Sequence, residues 1–135
     1  MELLGRAMLR DIEEASSAGD LPAYAAELRR SWDRLVSTTR RLAGAMAQDV
    51  DLGLANASVY LDAFGHTVVA WMWLRQGLAA ARGLARAQGP DVDFYRGKLA
   101  ACRYFFRWEL PRTAPQLALL DALDPTCLEM KPAWF

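Results

Sequence analysis

The sequence predicts an all-α protein: an up-and-down bundle of four main helices, followed by a short C-terminal helix and an extended tail. Three observations point there. No stretch alternates apolar and polar residues over more than a few positions, which argues against strands. The segment Val59–Leu74 reads VYLDAFGHTVVAWMWL, apolar on nearly every side, with polar side chains only at Asp62, His66 and Thr67. A helix that is hydrophobic all round has to be buried all round, so this one is expected at the centre of the bundle, buried throughout. Finally, the connections implied by the turn signals are short, and short helix–turn–helix connections force antiparallel neighbours.

The elements follow in order. The first helix is expected from Glu2 to Ala18, with Leu4, Met8, Ile12 and Ala15 on one face, and Ser16, Ser17 and Gly19 end it. Asp20 can cap the second helix, whose first turn tolerates Pro22 because an N–H is not needed there. That helix should run to about Gln48, burying Leu21, Tyr24, Leu28, Trp32, Leu35, Leu42 and Met46 at three- and four-residue steps, before a turn at Asp49 and Asp51. The third helix is expected unbroken from Asp51 to Ala87. Ala63, Ala70 and Gly77 fall seven apart on it, with Asn56 and Leu84 in register, a stripe of small residues that lets a neighbour approach closely. Gly89-Pro90 breaks it. Asp91 can cap a fourth helix from Val92 to Leu110, with Phe94, Leu99, Cys102, Phe105 and Phe106 inside, and Pro111 should stop or kink it. A short fifth helix, Pro115 to Leu123, precedes a tail containing Pro125 and Pro132.

At 135 residues the chain is expected to form a single domain over 1–135, long enough to bury a core. Its 16 basic and 16 acidic residues cancel, which removes any overall bias toward nucleic acid or anionic surfaces. The distribution is uneven: residues 1–62 carry a net −3, whereas residues 75–112 carry 8 bases against 3 acids. Two cysteines, Cys102 and Cys127, are too few for a disulfide framework and fit a reducing compartment. No signal-peptide pattern opens the chain. A membrane span through Val59–Leu74 would place Asp62 and His66 mid-bilayer, so no transmembrane segment is expected.

Chemistry-bearing constellations are sparse. Ser58, Asp62 and His66 have the residue types of a hydrolytic triad, but Ser58 and His66 lie about 12 Å apart along a helix axis. A nucleophile and its base need roughly 3 Å. What survives is a structural polar pair, Asp62 with His66 or with an arginine of the second helix. One histidine and two distant cysteines give no metal set, and no glycine-rich loop leads from a strand into a helix to cradle phosphate. Arg75, Arg82 and Arg86 are spaced i, i+7, i+11, and Arg96, Arg103 and Arg107 repeat that spacing on the next helix. The two sets read as a basic hairpin arm for an acidic partner, a pyrophosphate or an anionic surface, or equally as a solvated face with local pairs to Asp91, Asp93 and Glu109. Without strand platforms or a recognition-helix pattern, nucleic acid is not an expected partner. Trp71, Trp73, Phe105, Phe106 and Trp108 should gather near one end of the bundle. With Trp134 and Phe135 they exceed what a four-helix layer needs, so Trp108, Trp134 and Phe135 are expected at an apolar contact surface.

Val59–Leu74, the segment DFYRGKLAACRYFFRWELP at Asp93–Pro111 and the closing LEMKPAWF at Leu128–Phe135 together resemble one family. It is the accessory helical domain, acetyl-CoA dehydrogenase C-terminal-like, that follows the catalytic core in bacterial acyl-CoA dehydrogenases. The resemblance runs from Asp51 to the end. It implies an oxidoreductase parent in fatty acid metabolism, in which a glutamate removes the proton alpha to the thioester and FAD takes the hydride. Glutamate and flavin site both lie in the core, which has no counterpart here, so the resemblance implies no catalytic, cofactor-binding or metal residue in this chain. Tyr60, Gly65, Trp71, Tyr95, Lys98, Leu110 and Pro111 match the family pattern and read as packing and capping positions. The implied partner is the catalytic core, with a homodimer expected when that core is missing, and the implied location is cytoplasmic. A first methionine directly before helix one fits an excised domain as readily as a short gene. Two other functions stand beside this one: a stand-alone bundle binding a small apolar ligand at its aromatic end, and a peripheral membrane module docking through the basic arm.

Overall fold

A computed structural model describes residues 2–19 and 21–135, and among them every regular element is a helix, with no strand. The long helices are α1 (Glu2–Ala15), α2 (Pro22–Met46), α4 (Ala57–Leu84) and α5 (Pro90–Tyr104), with α3 (Val50–Leu54), α6 (Thr113–Ala122) and α7 (Thr126–Glu129) as shorter pieces. The all-α bundle expected from the sequence is what forms. Pro22 does occupy the first turn of α2; the expected cap at Asp20 lies outside the described residues. Asp49 caps α3, its side chain accepting from the Leu52 N–H at 3.0 Å.

α4 is the central element, packed against α1, α2, α5 and α6. Its small-residue stripe is where neighbours come closest. Ala63, Ala70 and Gly77 are buried, and a Cβ on Gly77 would stand 3.2 Å from both Cys102 Sγ on α5 and Leu21 Cδ2 before α2. Met8, Ile12 and Ala15 of α1, Leu28, Trp32 and Leu35 of α2, Leu74, Phe106, Leu117 and Leu120 complete one core. Thr38, Thr67 and Asp11 pair their buried polar groups, as desolvation requires, whereas Gln116 Oε1 is buried without a hydrogen-bond partner. Thr67 donates to the Ala63 carbonyl at 2.9 Å and lies 3.3 Å from Ser31 Oγ, while Thr38 donates to Asp121 at 2.6 Å and so ties α2 to α6. Asp11 of α1, also buried, accepts from Trp71 Nε1 at 2.7 Å.

Several expectations are corrected. The third helix is not continuous: it breaks at residues 55–56, where Asn56 leaves the helical conformation and donates to the Asp124 carbonyl at 2.8 Å. A long-range bond to the C-terminal segment competes there with the local helix. Val59–Leu74 is not buried throughout, because its four neighbours leave one side of α4 uncovered: Leu61 is 67% exposed and Val69 42%. Phe94 and Met46, expected inside, face outward near helix ends. α5 starts at Pro90 with Gly89 as its flanking residue, so Asp91 sits in the first turn and is not the cap.

Pro111 does not end the helical path. Phe105–Glu109 widens into a π-helical turn, in which Leu110 N–H donates to the Phe105 carbonyl, and Leu110–Arg112 tightens into a 3₁₀ turn before α6. A proline supplies no N–H and crowds the preceding turn, and the widened turn absorbs both effects. α6 accordingly begins at Thr113, two residues before the expected start, its Oγ1 donating to the Leu110 carbonyl at 2.8 Å. The tail is not simply extended: α7 and a 3₁₀ turn at Pro132–Trp134 interrupt it.

Candidate functional site

Asp62 and His66 lie one turn apart on the uncovered flank of α4. His66 Nδ1–H donates to the Asp62 carbonyl at 3.0 Å and stands 3.4 Å from Asp62 Oδ1. The other carboxylate oxygen of Asp62 accepts from Gln116 Nε2 on α6. The trio is a polar rung joining α4 to α6.

The arginines do not form one continuous arm. Arg75 lies 3.4 Å from Asp11, and Arg82 is ion-paired with Glu14, so both turn toward α1. Arg86 lines a shallow depression with Asp91 and Tyr95. On α5, Arg96 reaches Asp93 at 4.0 Å, while Arg103 has no carboxylate within ion-pair distance among the described residues. Both line a groove between the start of α2, the end of α4 and α5. Arg107 lies exposed in the π turn. The helix-one carboxylates were the signal that could have divided the two sets: Asp11 and Glu14 lie on one face of α1 and meet Arg75 and Arg82 on α4, which runs parallel to it.

The five aromatics expected at one end spread to different neighbours. Trp71 bonds Asp11 and lies under Arg75, Phe106 stacks on Tyr24 of α2 at 4.9 Å between centroids, and Phe105 lies 6.4 Å from His66. Antiparallel counting places residues at one level along the axis; it does not set the direction in which each ring leaves its helix. Trp108 is 68% exposed and stacks on Tyr104. Trp134 is exposed beneath Lys131, and Phe135 is almost wholly so.

What emerges is an apolar face shared by α4 and α5. Leu61, Gly65, Val69 and Trp73 run along α4 at steps of four, and Phe94, Lys98 and Ala101 run along α5, with Phe105 and Trp108 following in the π turn. Lys98 joins the two rows: its ammonium lies 5.8 Å from the Trp73 ring and 5.7 Å from Phe94, and donates to Gln76 Oε1 at 3.2 Å. Nothing approaches within 4 Å of where a Cβ on Gly65 or Gly97 would stand, so the face is open at both. An exposed stripe of this length is more than scattered surface apolarity. The near-continuous apolar run hid Leu61 and Val69; their place in a row with Gly65 and Trp73 at steps of four was the available signal.

At the end of this face, Tyr104 OH donates to Glu109 Oε1 at 3.0 Å and Arg112 donates to Glu109 Oε2 at 2.8 Å. The widened turn stacks residues five apart, which brings tyrosine and glutamate together. The Tyr104 hydrogen bond, with Arg112 behind it, holds the Glu109 carboxyl below its ordinary range, and the same bond pushes the Tyr104 phenol up. Among the described residues no three metal-ligating side chains come together, and no helix is long and apolar enough to cross a membrane.

Fold and surface define a class: a helical bundle whose distinguishing feature is an uncovered apolar face. More narrowly, the chain belongs to the acetyl-CoA dehydrogenase C-terminal-like family, whose model matches residues 6–131. It is also similar to the broad-specificity linear acyl-CoA dehydrogenase FadE5 of Mycobacterium tuberculosis, 30% identical over 77 residues. That stretch is 56% of this chain but 13% of the relative, so the chain spans a small part of that protein's length.

Proposed function

We propose that this chain is a non-catalytic domain of an FAD-dependent acyl-CoA dehydrogenase, folding as one unit over 1–135 and docking on the catalytic core through the α4/α5 face. The observation that carries the reading is that face, with Leu61, Val69, Phe94 and Trp108 all substantially exposed. Fully burying one such side chain contributes roughly 1.5–3 kcal/mol, so covering the exposed parts of four contributes several kcal/mol toward docking. Family membership supports the choice of partner, since most of the similar relative's length lies outside the matched stretch. The flavin, the proton-abstracting glutamate and the cytoplasmic location of the parent come with that class and with nothing in this chain's own residues.

The test is a photo-crosslinking residue in place of Trp108 in the parent flavoenzyme. Crosslinked peptides should map to its catalytic core; crosslinks confined to the same helices of a second copy would sink the docking assignment. For assembly, the isolated chain should self-associate through the same uncovered face, as light scattering at micromolar concentration reads directly. Raising salt should have little effect on that association, because the residues that make up the face are apolar apart from Lys98. A strict 15.0 kDa monomer at every concentration would refute self-association.

A further inference from the structure

The groove on which Arg96 and Arg103 open shares no residue with the α4/α5 face. Its volume is about 500 Å³, within the range of small-molecule sites. Leu21, Leu84 and Leu99 supply apolar walls, and Ala81, Ala85 and Ala100 keep the space between the helices clear. Tyr24 also lines it, with its ring braced against the buried Phe106. Positions 96 and 103 lie two turns apart on α5, about 10 Å along the axis, and both exposed side chains are long enough to converge on one anion between them. They differ from the arginines of α4. Arg75 and Arg82 are each held by a carboxylate of α1, whereas Arg103 has no such partner among the described residues and Arg96 has only Asp93 at the limit of an ion pair.

We propose that this groove binds an amphipathic anion, its apolar chain lying against Leu21, Leu84 and Leu99 and its carboxylate or phosphate head meeting Arg96 and Arg103. An apolar ligand alone would gain nothing from two guanidiniums. A bare inorganic anion would meet only solvated side chains, a weak site. Both features are used when one molecule carries both chemistries, because charge-assisted hydrogen bonds fix the head while area burial holds the chain. The inference stands independently of the docking assignment, and losing one leaves the other intact.

The experiment is calorimetric titration of the 135-residue chain with decanoate below its micellar concentration, with inorganic phosphate, and with phosphatidylcholine vesicles with and without phosphatidylglycerol. Decanoate should bind at a 1:1 ratio and phosphate at least tenfold more weakly. The double substitution R96A/R103A should weaken decanoate roughly tenfold or more, the loss expected for one to two charge-assisted bonds. Ala100→Trp, at an exposed helical position that lines the groove, should abolish binding while leaving the far-UV circular dichroism melt unchanged. Absence of decanoate binding at millimolar concentration, phosphate binding as tight as decanoate, or equal decanoate affinity in R96A/R103A would each overturn the proposal. Binding to anionic vesicles without binding to free decanoate would overturn it too, and would make a membrane surface the occupant.

Discussion

Replacing Asp11 with alanine should cost about 1.5–3 kcal/mol, nearly all of it through one hydrogen bond. Asp11 Oδ2 accepts from Trp71 Nε1 at 2.7 Å, and both residues are buried in the contact between α1 and α4. Truncation leaves the indole N–H without an acceptor and without room for full hydration, which costs more than the bond contributes in the intact protein. The guanidiniums of Arg75 at 3.4 Å and Arg10 at 3.7 Å are mostly solvated, so losing those pairs adds only about 0–1 kcal/mol. Alanine's better helix propensity returns up to about 0.7 kcal/mol. Asp11→Asn keeps an acceptor for the indole and should cost about 1 kcal/mol. Urea unfolding followed by far-UV circular dichroism separates these values, since about 2 kcal/mol moves the midpoint by roughly 1 M for a small protein. A double-mutant cycle with Trp71→Phe should give a coupling of about 1–2 kcal/mol. The reasoning fails if Asp11→Ala lies within about 0.5 kcal/mol of the parent sequence, or if Asp11→Asn is as damaging as Asp11→Ala.

Three further outcomes are expected. A thiol reagent should modify the exposed Cys127 rapidly in the native chain and Cys102 only after denaturant is added, because burial pushes the Cys102 thiol up to about 11 from an ordinary 9.0. Its folded-state pKa is the higher one, so the contribution to stability is complete below pH 9 and declines as pH rises toward 11; a melting temperature that climbs across that interval in Cys102→Ser relative to the parent sequence tests the sign. At the π turn, Tyr104→Phe should move the Glu109 carboxyl up toward its ordinary value of 4.5 in an NMR titration, and an unmoved titration would mean that Tyr104 is not what holds it down.

The helices were legible in the sequence because each rests on local pattern. Met8, Ile12 and Ala15, then Leu28, Trp32 and Leu35, recur at helical spacing, and the apolar run through Trp71 and Leu74 marks the helix that supplies much of the core. The family was legible for the same reason, in contiguous segments around Val59–Leu74 and Asp93–Pro111 that need no partner to be read. What tertiary structure alone decided was the side each helix left bare and the partner each charge found. Leu61 and Val69 belong to a run that looks buried on every side, yet four neighbours cannot surround a helix along its whole length, and the flank they miss became the open face. Asn56 looked like one more position in a stripe until Asp124, remote in sequence, offered it a carbonyl. Six arginines with one repeated spacing went to different ends, since spacing sets the face of a residue's own helix whereas packing sets what lies opposite. Asp11 and Glu14 drew Arg75 and Arg82 to α1, and Arg96 and Arg103 were left along the rim of a groove. Helical periodicity is written into adjacent residues, but a surface is made of residues far apart in the chain, and only their packing brings them together.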